Sequence, residues 1–228
     1  MDVWSLELDV AAPRFDSLYA GLSGEERSRA VRFHFSRDRH RWIVARGTLR
    51  EILAKYLQCP RAEIAFRSGK GGKPALDPAQ HRSEWSFNLS HSGGRALVAV
   101  TSGLAAGIDI ERIRDISHLQ AIARLVLTPA ERAALDRCNS EDARSLFFTA
   151  WTRKEACVKV SGAGCSHPLD RVEVLCSFRT PQIVELGHGS ECWLTDVPAE
   201  PGYVAALALS SPPTVVRVRK WSRAVTLP

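Results

Sequence analysis

The sequence predicts an α+β fold with antiparallel sheets and a division of the chain near residues 102–106. Residues 37–57 carry apolar side chains at helical spacing, and residues 141–160 also read as a helix. Short stretches bounded by turn residues are typical of strands. Because these helices and strands do not alternate strictly, the pattern favours α+β over a parallel β-α-β arrangement.

The first half begins with a predicted strand and two predicted helices. Residues 3–10 predict a strand because every second side chain is apolar: Trp4, Leu6, Leu8 and Val10. Pro13 ends this strand, and Ser23 caps a helix whose first turn carries Glu25 and Glu26. The helix over residues 37–57 buries a stripe with three- and four-residue spacing: Trp42, Ala45, Leu49, Ile52, Leu53 and Tyr56.

The rest of the first half reads as strands and turns. We expect a glycine-rich stretch at residues 68–74, a strand at residues 85–89 and a turn at residues 90–94. Residues 96–101 and 104–110 predict two strands joined at Ser102-Gly103, the pattern of a small hairpin.

The second half opens with helices and closes with strands. A helix is expected over residues 117–126, and Thr128 then caps a helix with Pro129 first and Glu131 third. After the helix over residues 141–160 come four predicted strands, at residues 172–178, 192–197, 203–210 and 215–220. We therefore expect two domains, residues 1–103 and 104–228.

The composition excludes several classes of protein. Of 228 residues, 45% are hydrophobic and 25% charged, a normal balance for a soluble globular protein. No stretch approaches the roughly 20 apolar residues of a membrane helix, and the acidic N-terminus lacks the features of a signal peptide. The six cysteines form no Cys-x-x-Cys pair, so we expect reduced thiols in a cytoplasmic protein.

The net charge of +6 is concentrated in the first half. Residues 1–103 have a surplus of five basic side chains, and residues 104–228 a surplus of one. Within residues 27–50, eight arginines occur with Asp38 as the single acidic residue: Arg27, Arg29, Arg32, Arg37, Arg39, Arg41, Arg46 and Arg50. This cluster indicates a partner with phosphates or carboxylates, although a solvated helix face would have the same pattern.

Two segments carry carboxylates suited to a hard cation. On a strand, Asp109 and Glu111 point to one face and could bracket a cation, although a half-buried edge strand has the same pattern. On a helix, Glu155 and Lys159 lie one turn apart, so that Glu155 could complete a magnesium site while Lys159 contacts a phosphate. The alternative for the second pair is an ordinary surface ion pair.

Two other segments suit an anion. Ser90-His91 precedes Gly93-Gly94, and such a turn would present a hydroxyl, an imidazole and free backbone N–H groups, although a turn histidine can also be purely structural. The stretch ending in Gly72-Lys73-Pro74 is not a phosphate-binding Walker loop, because Pro74 replaces the required Ser or Thr. It could still lie along a flat ligand while Lys73 reaches a phosphate.

These segments together, in this order, resemble the 4′-phosphopantetheinyl transferases of the larger, surfactin-synthetase-activating (Sfp-like) type. The resemblance spans about residues 20–165 and rests on four motifs: Gly72-Lys73-Pro74, Asn88-Leu89-Ser90-His91-Ser92, Gly107-Ile108-Asp109-Ile110-Glu111 and Trp151-x-x-Lys154-Glu155-Ala156-x-x-Lys159. It implies a monomeric pseudo-dimer of two similar α+β halves, each a small antiparallel sheet packed with helices, with coenzyme A in the cleft between them.

The resemblance also implies an activity. Such enzymes transfer the 4′-phosphopantetheine arm of coenzyme A to a serine of an apo acyl or peptidyl carrier protein, depend on Mg²⁺, and release adenosine 3′,5′-bisphosphate. The N-terminal half would hold the adenine and 3′-phosphate, and the C-terminal half the Mg²⁺ site and the docking surface for an acidic carrier. Neither nucleic acid nor a membrane is an expected partner.

The family's functional residues map onto matching positions of this chain. By resemblance, Mg²⁺ would bind Asp109, Glu111 and Glu155, and Lys159 would contact the pyrophosphate and protonate the leaving bisphosphate. Our hypothesis for the other catalytic residue is that Glu155 removes the proton of the acceptor serine, directly or through a metal-bound water. Coenzyme A would bind residues from both halves: Arg29, Arg41, Gly72, Lys73, Pro74, Ser90, His91 and Lys159. Carrier docking is expected at Arg114 and Arg124 with their apolar neighbours, which are Ile116, Leu119 and Leu125.

One position departs from the family pattern. Glu26 stands where a close relative has a basic residue, so part of the 3′-phosphate contact is lost or moves to Arg27 or Arg29. Two other functions fit parts of the sequence. The arginine cluster alone would suit a nucleic-acid-binding module, but no recognised nucleic-acid motif accompanies it. A catalytically silent relative would lack some of Asp109, Glu111, Glu155 and Lys159, whereas all four are present.

Overall fold

Two four-stranded sheets, each covered by a long helix, form the framework of the protein. The computed structural model describes residues 1–69, 73–161, 168–175, 180–187 and 189–222. In the first half, the helices are α1 (Ala12–Ala20), α2 (Gly24–Ala30) and α3 (Ser36–Leu57), and the strands are β1 (Asp2–Glu7), β2 (Phe66–Ser68), β3 (Pro74–Leu76), β4 (Trp85–Ser92) and β5 (Arg95–Ser102).

The second half has the same combination of elements. Its helices are α4 (Leu119–Val126), α5 (Pro129–Leu135) and α6 (Ser140–Ser161), and its strands are β6 (Ala106–Arg112), β7 (Gln182–Gly187), β8 (Ser190–Asp196), β9 (Tyr203–Leu209) and β10 (Arg217–Lys220). Among the described residues, no helix is long and apolar enough to span a membrane.

Each long helix packs on one sheet, and the two sheets pack on each other. The first sheet has the order β10-β1-β5-β4 and the second β6-β9-β8-β7. Leu49 and Leu53 of α3 share a buried cluster with β1 and β5, whereas Phe147 and Cys157 of α6 share another with β7 and β8. A third buried cluster joins the inner faces of both sheets. This arrangement confirms the predicted α+β fold of two similar halves.

Local signals placed several helices correctly. Ser23 and Glu26 form a reciprocal capping box at the start of α2, and Thr128 and Glu131 form another at the start of α5. Each box satisfies backbone N–H groups that a helix start leaves unpaired. Helix α3 begins one residue before its predicted start, and α6 extends one residue beyond its predicted bounds at both ends.

The predicted hairpin at Ser102-Gly103 is wrong. β5 pairs with β1 and β4, whereas β6 pairs with β9 of the other sheet. The two glycine-linked strands therefore lie in different sheets, and β5 forms its hairpin with β4 instead, at Gly93-Gly94. The predicted division between residues 103 and 104 falls in this connection and stays a prediction.

Other differences concern the chain ends and the turns. Pro13 lies in the first turn of α1, a helix that the sequence did not indicate. The described part of the predicted strand at 172–178, residues 172–175, has no strand structure, and the remainder lies outside the described residues. β10 leaves the second half and pairs in parallel with β1, so the first sheet contains one parallel pair.

Candidate active site

The edges of the two sheets meet where β4 lies beside β6, and side chains rather than a backbone ladder join them. The amide N–H of Ile108 donates to Asn88 Oδ1 at 2.7 Å. The hydroxyl of Ser90 donates to Asp109 Oδ1, also at 2.7 Å. Every second residue of β4 faces β6, because successive strand side chains point to opposite faces. The Asn-x-Ser pattern therefore connects the halves at the site.

Ser92 lies on the same face of β4 as Asn88 and Ser90, and it hydrogen-bonds to the carboxylate of Glu111. Its hydroxyl donates to Glu111 Oε2 at 2.7 Å and accepts from the amide N–H of Arg112 at 3.1 Å. The predicted turn at residues 90–94 is therefore wrong in part, because β4 continues to Ser92 and only Gly93-Gly94 turns. On this strand Ser90 and His91 point to opposite faces, so that they do not present one anion site together.

Gly107 lets α6 approach β6 closely. A Cβ at this position would lie 2.0 Å from the carbonyl oxygen of Ala156 and 2.8 Å from Cβ of Lys159. With glycine there, Lys159 Nζ donates to Asp109 Oδ1 at 2.6 Å and to the carbonyl of Ile108 at 3.0 Å. The Gly-x-Asp spacing thus brings the strand carboxylate and the helix ammonium into contact.

The three predicted metal ligands carry interacting carboxylates. Burial raises the pKa of Glu155, the charge of Lys159 lowers it, and those of Asp109 and Glu111 raise it, with a net rise. Burial also raises the pKa of Glu111, the hydrogen bond from Ser92 lowers it, and the charge of Asp109 raises it, again with a net rise. The carboxylates therefore repel one another in a partly desolvated site.

These side chains suit a hard cation by their chemistry. Asp109 Oδ2 is buried and has no hydrogen-bond partner in the described part of the chain, so its lone pairs are available to a ligand. Oxygen ligands are the ones that Mg²⁺ prefers. Among the same described residues, however, no group of three or more Asp, Glu, His or Cys side chains is already arranged to hold a metal ion.

A cavity of about 820 Å³ opens on the other face of β4. His91 and Leu89 form its β4 wall, and Pro74 and Arg29 contribute from β3 and α2. Burial and then the charge of Lys159 lower the pKa of His91, although part of its ring reaches solvent. Arg29, Pro74 and His91, which the sequence assigned to coenzyme A, therefore meet at one cavity.

Lys73 links this cavity region to the carboxylates. Its Nζ donates to the carbonyls of Ala106 at 2.9 Å and Lys159 at 3.2 Å, so the side chain crosses from the first half to the second. Burial and then the charge of Lys159 lower its pKa to about 8. Gly72, the other residue predicted in this loop, lies outside the described residues.

Arg41 is the predicted ligand that the structure places elsewhere. Its guanidinium forms a double hydrogen bond with Asp9, with both distances 2.8 Å, and it does not line the cavity. Arg27, a predicted substitute, donates to the carbonyl of Ala20 and also lies outside the lining. Of the three arginines considered for the 3′-phosphate, only Arg29 lines the cavity.

An ionic triad in the cavity wall escaped the sequence analysis. Glu26 accepts from Arg46 Nε at 2.5 Å and from Arg50 Nε at 2.7 Å. Burial raises the pKa of Glu26, but the hydrogen bond from Arg50 and the charge of Arg46 outweigh it and lower the pKa. The arginine cluster was visible in the sequence, but which member faces the cavity depends on how α2 packs on α3.

Arg46 is held rigidly in this triad. Its guanidinium lies 3.7 Å from the ring centroid of Phe66, and Glu26 binds only its Nε. Among the described residues, neither terminal nitrogen of Arg46 has a hydrogen-bond partner. Such a stacked, oriented fork suits two parallel hydrogen bonds to a phosphate.

The other charged residue of the α6 motif has a structural role. Lys154 is fully buried and pairs with Glu131 at 2.7 Å. It also donates to the carbonyls of Leu169 and Val172. This ion pair joins α6 to the start of α5. It lies on the side of α6 away from the predicted metal ligands.

Of the predicted docking residues, Arg114 lies beside Glu111. Arg114 Nη1 is 3.6 Å from Glu111 Oε2, and its guanidinium lies 5.4 Å from the ring centroid of Phe148. On α4, Arg124 is exposed, and Leu125 is 76% exposed. Ile116 and Leu119 are half-buried below them.

Comparisons with known proteins identify the family. Residues 105–208 match the model of the 4′-phosphopantetheinyl transferase superfamily, and residues 10–103 match that of the N-terminal region of a 4′-phosphopantetheinyl transferase. The chain is 34% identical over 209 residues to the 4′-phosphopantetheinyl transferase HetI of Nostoc sp., covering 91% of this chain and 86% of that protein. It is 29% identical over 194 residues to the 4′-phosphopantetheinyl transferase Sfp of Bacillus subtilis, covering 84% and 83%. It is 30% identical over 203 residues to the 4′-phosphopantetheinyl transferase psf-1 of Bacillus pumilus, covering 89% and 84%. The chain therefore belongs to the 4′-phosphopantetheinyl transferase family and is an enzyme that transfers the phosphopantetheinyl group.

Proposed function

We propose that this enzyme transfers the 4′-phosphopantetheine arm of coenzyme A to a serine hydroxyl of an apo acyl or peptidyl carrier protein, with Mg²⁺ as cofactor. One observation carries the proposal: Lys159 contacts Asp109 within a group of interacting carboxylates, directly beside a cavity with cationic walls. The donor's phosphates and the acceptor's hydroxyl both need these groups, because phosphoryl transfer depends mainly on positioning and charge neutralisation.

The cavity is the proposed site for the adenosine 3′,5′-bisphosphate part of the donor. Pro74 and Leu89 offer apolar surface to the adenine, and Arg29 and Arg46 offer cations to the 3′-phosphate. Arg46 takes the position that the sequence analysis gave to Arg41. His91, on the same wall, is close enough to Lys159 for their charges to interact, so that the pyrophosphate would lie between the cavity and the carboxylates.

Asp109, Glu111 and Glu155 would hold Mg²⁺. When bound, the ion would neutralise charge on the pyrophosphate oxygens and relieve the repulsion among these carboxylates. Ser90 and Ser92 orient two of the three ligands through their hydroxyl groups. In this assignment Ser90 acts on the carboxylate rather than on a phosphate of coenzyme A.

Glu155 and Lys159 are the proposed proton carriers. A carboxylate oxygen of Glu155 would take the proton of the acceptor serine as the serine oxygen bonds to the phosphorus of the phosphopantetheine. The bond from that phosphorus to the bridging oxygen breaks, and Lys159 Nζ would donate a proton to this oxygen on the leaving adenosine 3′,5′-bisphosphate. Burial raises the pKa of Glu155 in the metal-free protein, which makes the ionised carboxylate a stronger base.

The acceptor is proposed to dock on Arg114, which lies beside Glu111, and on Arg124 and Leu125 of α4. Exposed cations together with an exposed apolar side chain suit an acidic surface that carries one apolar contact. We further propose a cytoplasmic monomer that uses neither nucleic acid nor a membrane. The monomer is supported by the site itself, because β4 and α6 of one chain supply both sides.

The test is the intact mass of apo carrier proteins after incubation with the enzyme, coenzyme A and Mg²⁺. We expect a gain of one phosphopantetheine arm on the serine, abolished by EDTA and restored by added Mg²⁺. Glu155→Gln should lose most of this activity, whereas Glu141→Gln, on the exposed first turn of the same helix, should retain it.

Three results would contradict the proposal. No mass gain with fatty-acid, polyketide and peptide carriers, despite binding of coenzyme A, would favour a catalytically silent relative. Full activity of Glu155→Gln would remove the proposed base. A shift in melting temperature with duplex DNA but none with coenzyme A would instead favour nucleic-acid binding.

A further inference from the structure

A pair of buried thiols lies behind the catalytic face of α6. Cys157 on α6 and Cys192 on β8 are 0% and 1% exposed, and a hydrogen bond joins their sulfur atoms at 3.4 Å. Cys157 is two residues from both Glu155 and Lys159. Because two residues turn a helix by roughly 200°, its side chain points into the core while theirs point towards β6.

We propose that Cys157 and Cys192 form an intramolecular disulfide when the protein meets a peroxide, and that this bond lowers the transferase activity by displacing α6. The two sulfurs already touch, so that the bond needs no unfolding. Both thiols are buried, which favours a small oxidant such as a peroxide over a bulky disulfide.

The reaction balances with one peroxide per pair of thiols. The Cys192 thiolate attacks a peroxide oxygen, and its sulfur becomes a sulfenic acid as hydroxide leaves. This hydroxide takes up the proton that the Cys192 thiol had lost and becomes the first water. Cys157 sulfur then attacks this sulfenic sulfur, and its thiol proton leaves with the hydroxyl as a second water. The two cysteines lose two electrons and two protons in total, and the peroxide gains both.

Cys192 is the sulfur suited to react first. Its sulfur is in contact with that of Cys157, and the hydrogen bond between the two sulfurs lowers the pKa of Cys192. A thiolate is the form that attacks a peroxide. Cys157 is then already in position to resolve the sulfenic acid.

The bond would strain the active site because of its length. A disulfide requires about 2.05 Å between sulfurs, so the pair must close by roughly 1.3 Å. Part of this movement falls on α6, which packs on β6, β8 and β9. Since Gly107 leaves no spare space between α6 and β6, a shift of α6 changes the position of Glu155 and Lys159 relative to Asp109.

The experiment is peptide mapping of the full chain after treatment with hydrogen peroxide, beside transfer assays on the same samples. We expect a linked peptide pair containing Cys157 and Cys192, lighter by two hydrogens. Transfer should fall on the order of tenfold or more, since a displacement of about 1 Å can cost this much, and dithiothreitol should restore it.

Cys192→Ala and Cys138→Ala are the matched variants. Cys192→Ala should keep the reduced protein's activity and lose its reversible inhibition by peroxide, whereas Cys138→Ala should respond like the wild type. Cys157→Ala serves as a second variant if Cys192→Ala does not fold, as its melting temperature would show.

Either of two outcomes overturns the inference: no link between these two cysteines, or a complete link with unchanged activity. The activity readout rests on the proposed function, but the mapping does not. Absence of transfer before any oxidation would therefore count against the proposed function, whereas a missing link counts only against the inference.

Discussion

The two carboxylate oxygens of Asp109 have different surroundings in the candidate site. Its Oδ1 accepts hydrogen bonds from both Ser90 and Lys159, whereas its Oδ2 is buried without a partner in the described structure. A buried unpaired oxygen is unfavourable unless a ligand completes it. In the proposed function, Mg²⁺ would bind this oxygen and so complete its coordination.

The proposed role of Glu155 as base predicts a pH dependence with a definite sign. A base must be ionised, so turnover should fall as the pH drops through the pKa of Glu155 in the enzyme with bound Mg²⁺, where the ion offsets the pKa rise that burial causes in the metal-free protein. The pH–rate profile of kcat/KM for the carrier measures this limb. Glu155→Gln should lower turnover by roughly 10²- to 10⁴-fold and abolish the limb.

The same shift makes Glu155 a stability cost at neutral pH. Because its pKa is raised on folding, the folded state binds the proton more tightly, and stability is lost as the pH rises through that pKa. Glu155→Gln should therefore raise the melting temperature at pH 7. The difference should vanish below the pKa of glutamate in the unfolded chain, and an equal or lower melting temperature at pH 7 would contradict this.

Arg46 predicts a dependence on the donor's 3′-phosphate. Arg46→Gln should lower kcat/KM for coenzyme A on the order of tenfold, the contribution expected of a charged hydrogen bond, and leave dephospho-coenzyme A nearly unaffected. Arg41→Gln is the control, because Arg41 binds Asp9 outside the cavity. Equal losses with both donors would show that Arg46 has no contact with the 3′-phosphate.

At the scale of elements, the site depends on how closely β6 and α6 pack. Gly107→Ala would place a methyl group 2.0 Å from the carbonyl oxygen of Ala156, which is impossible without moving α6. We expect a loss of about 1–3 kcal/mol in the free energy of unfolding, together with most of the activity. Gly24→Ala is a stability control with nothing within 4 Å of its new Cβ, and it should change the melting temperature little.

The anchoring of α6 gives a second prediction at this scale. Lys154→Met would leave Glu131 charged and buried without its cation, at a cost of about 3–5 kcal/mol in the free energy of unfolding. Adding Glu131→Gln should recover part of this loss, because the uncompensated charge is gone. Denaturant unfolding of both single variants and the double variant measures the coupling, and strictly additive losses would contradict it.

At the scale of the whole molecule, the surplus of positive charge predicts a salt effect. The net charge of +6 lies mostly in the first half, and Arg114 and Arg124 are exposed in the second. Long-range attraction speeds association and is screened by salt. We expect kcat/KM for an acidic carrier to fall as NaCl is raised while kcat changes little, whereas a carrier with neutral residues around its serine should respond weakly.

The sequence by itself determined many of the elements, the family and the residue types of the candidate site. Period-two apolar residues indicated β1, the capping boxes at Ser23 and Thr128 marked two helix starts, and four ordered motifs indicated the family. These signals are local, because each depends on residues within a few positions of one another along the chain. The residue types at Asp109, Glu111, Glu155 and Lys159 were therefore readable before any fold was known.

Only the tertiary structure decided which of these residues face one another. The hairpin at Ser102-Gly103 looked correct locally, but β5 and β6 each pair with a strand from another part of the chain. Ser90 and His91 separate because β4 extends past the predicted turn, and Arg46 replaces Arg41 at the cavity because α2 packs on α3 through Glu26. Strand pairing and side-chain burial depend on contacts between residues far apart in sequence, and no local pattern encodes these contacts.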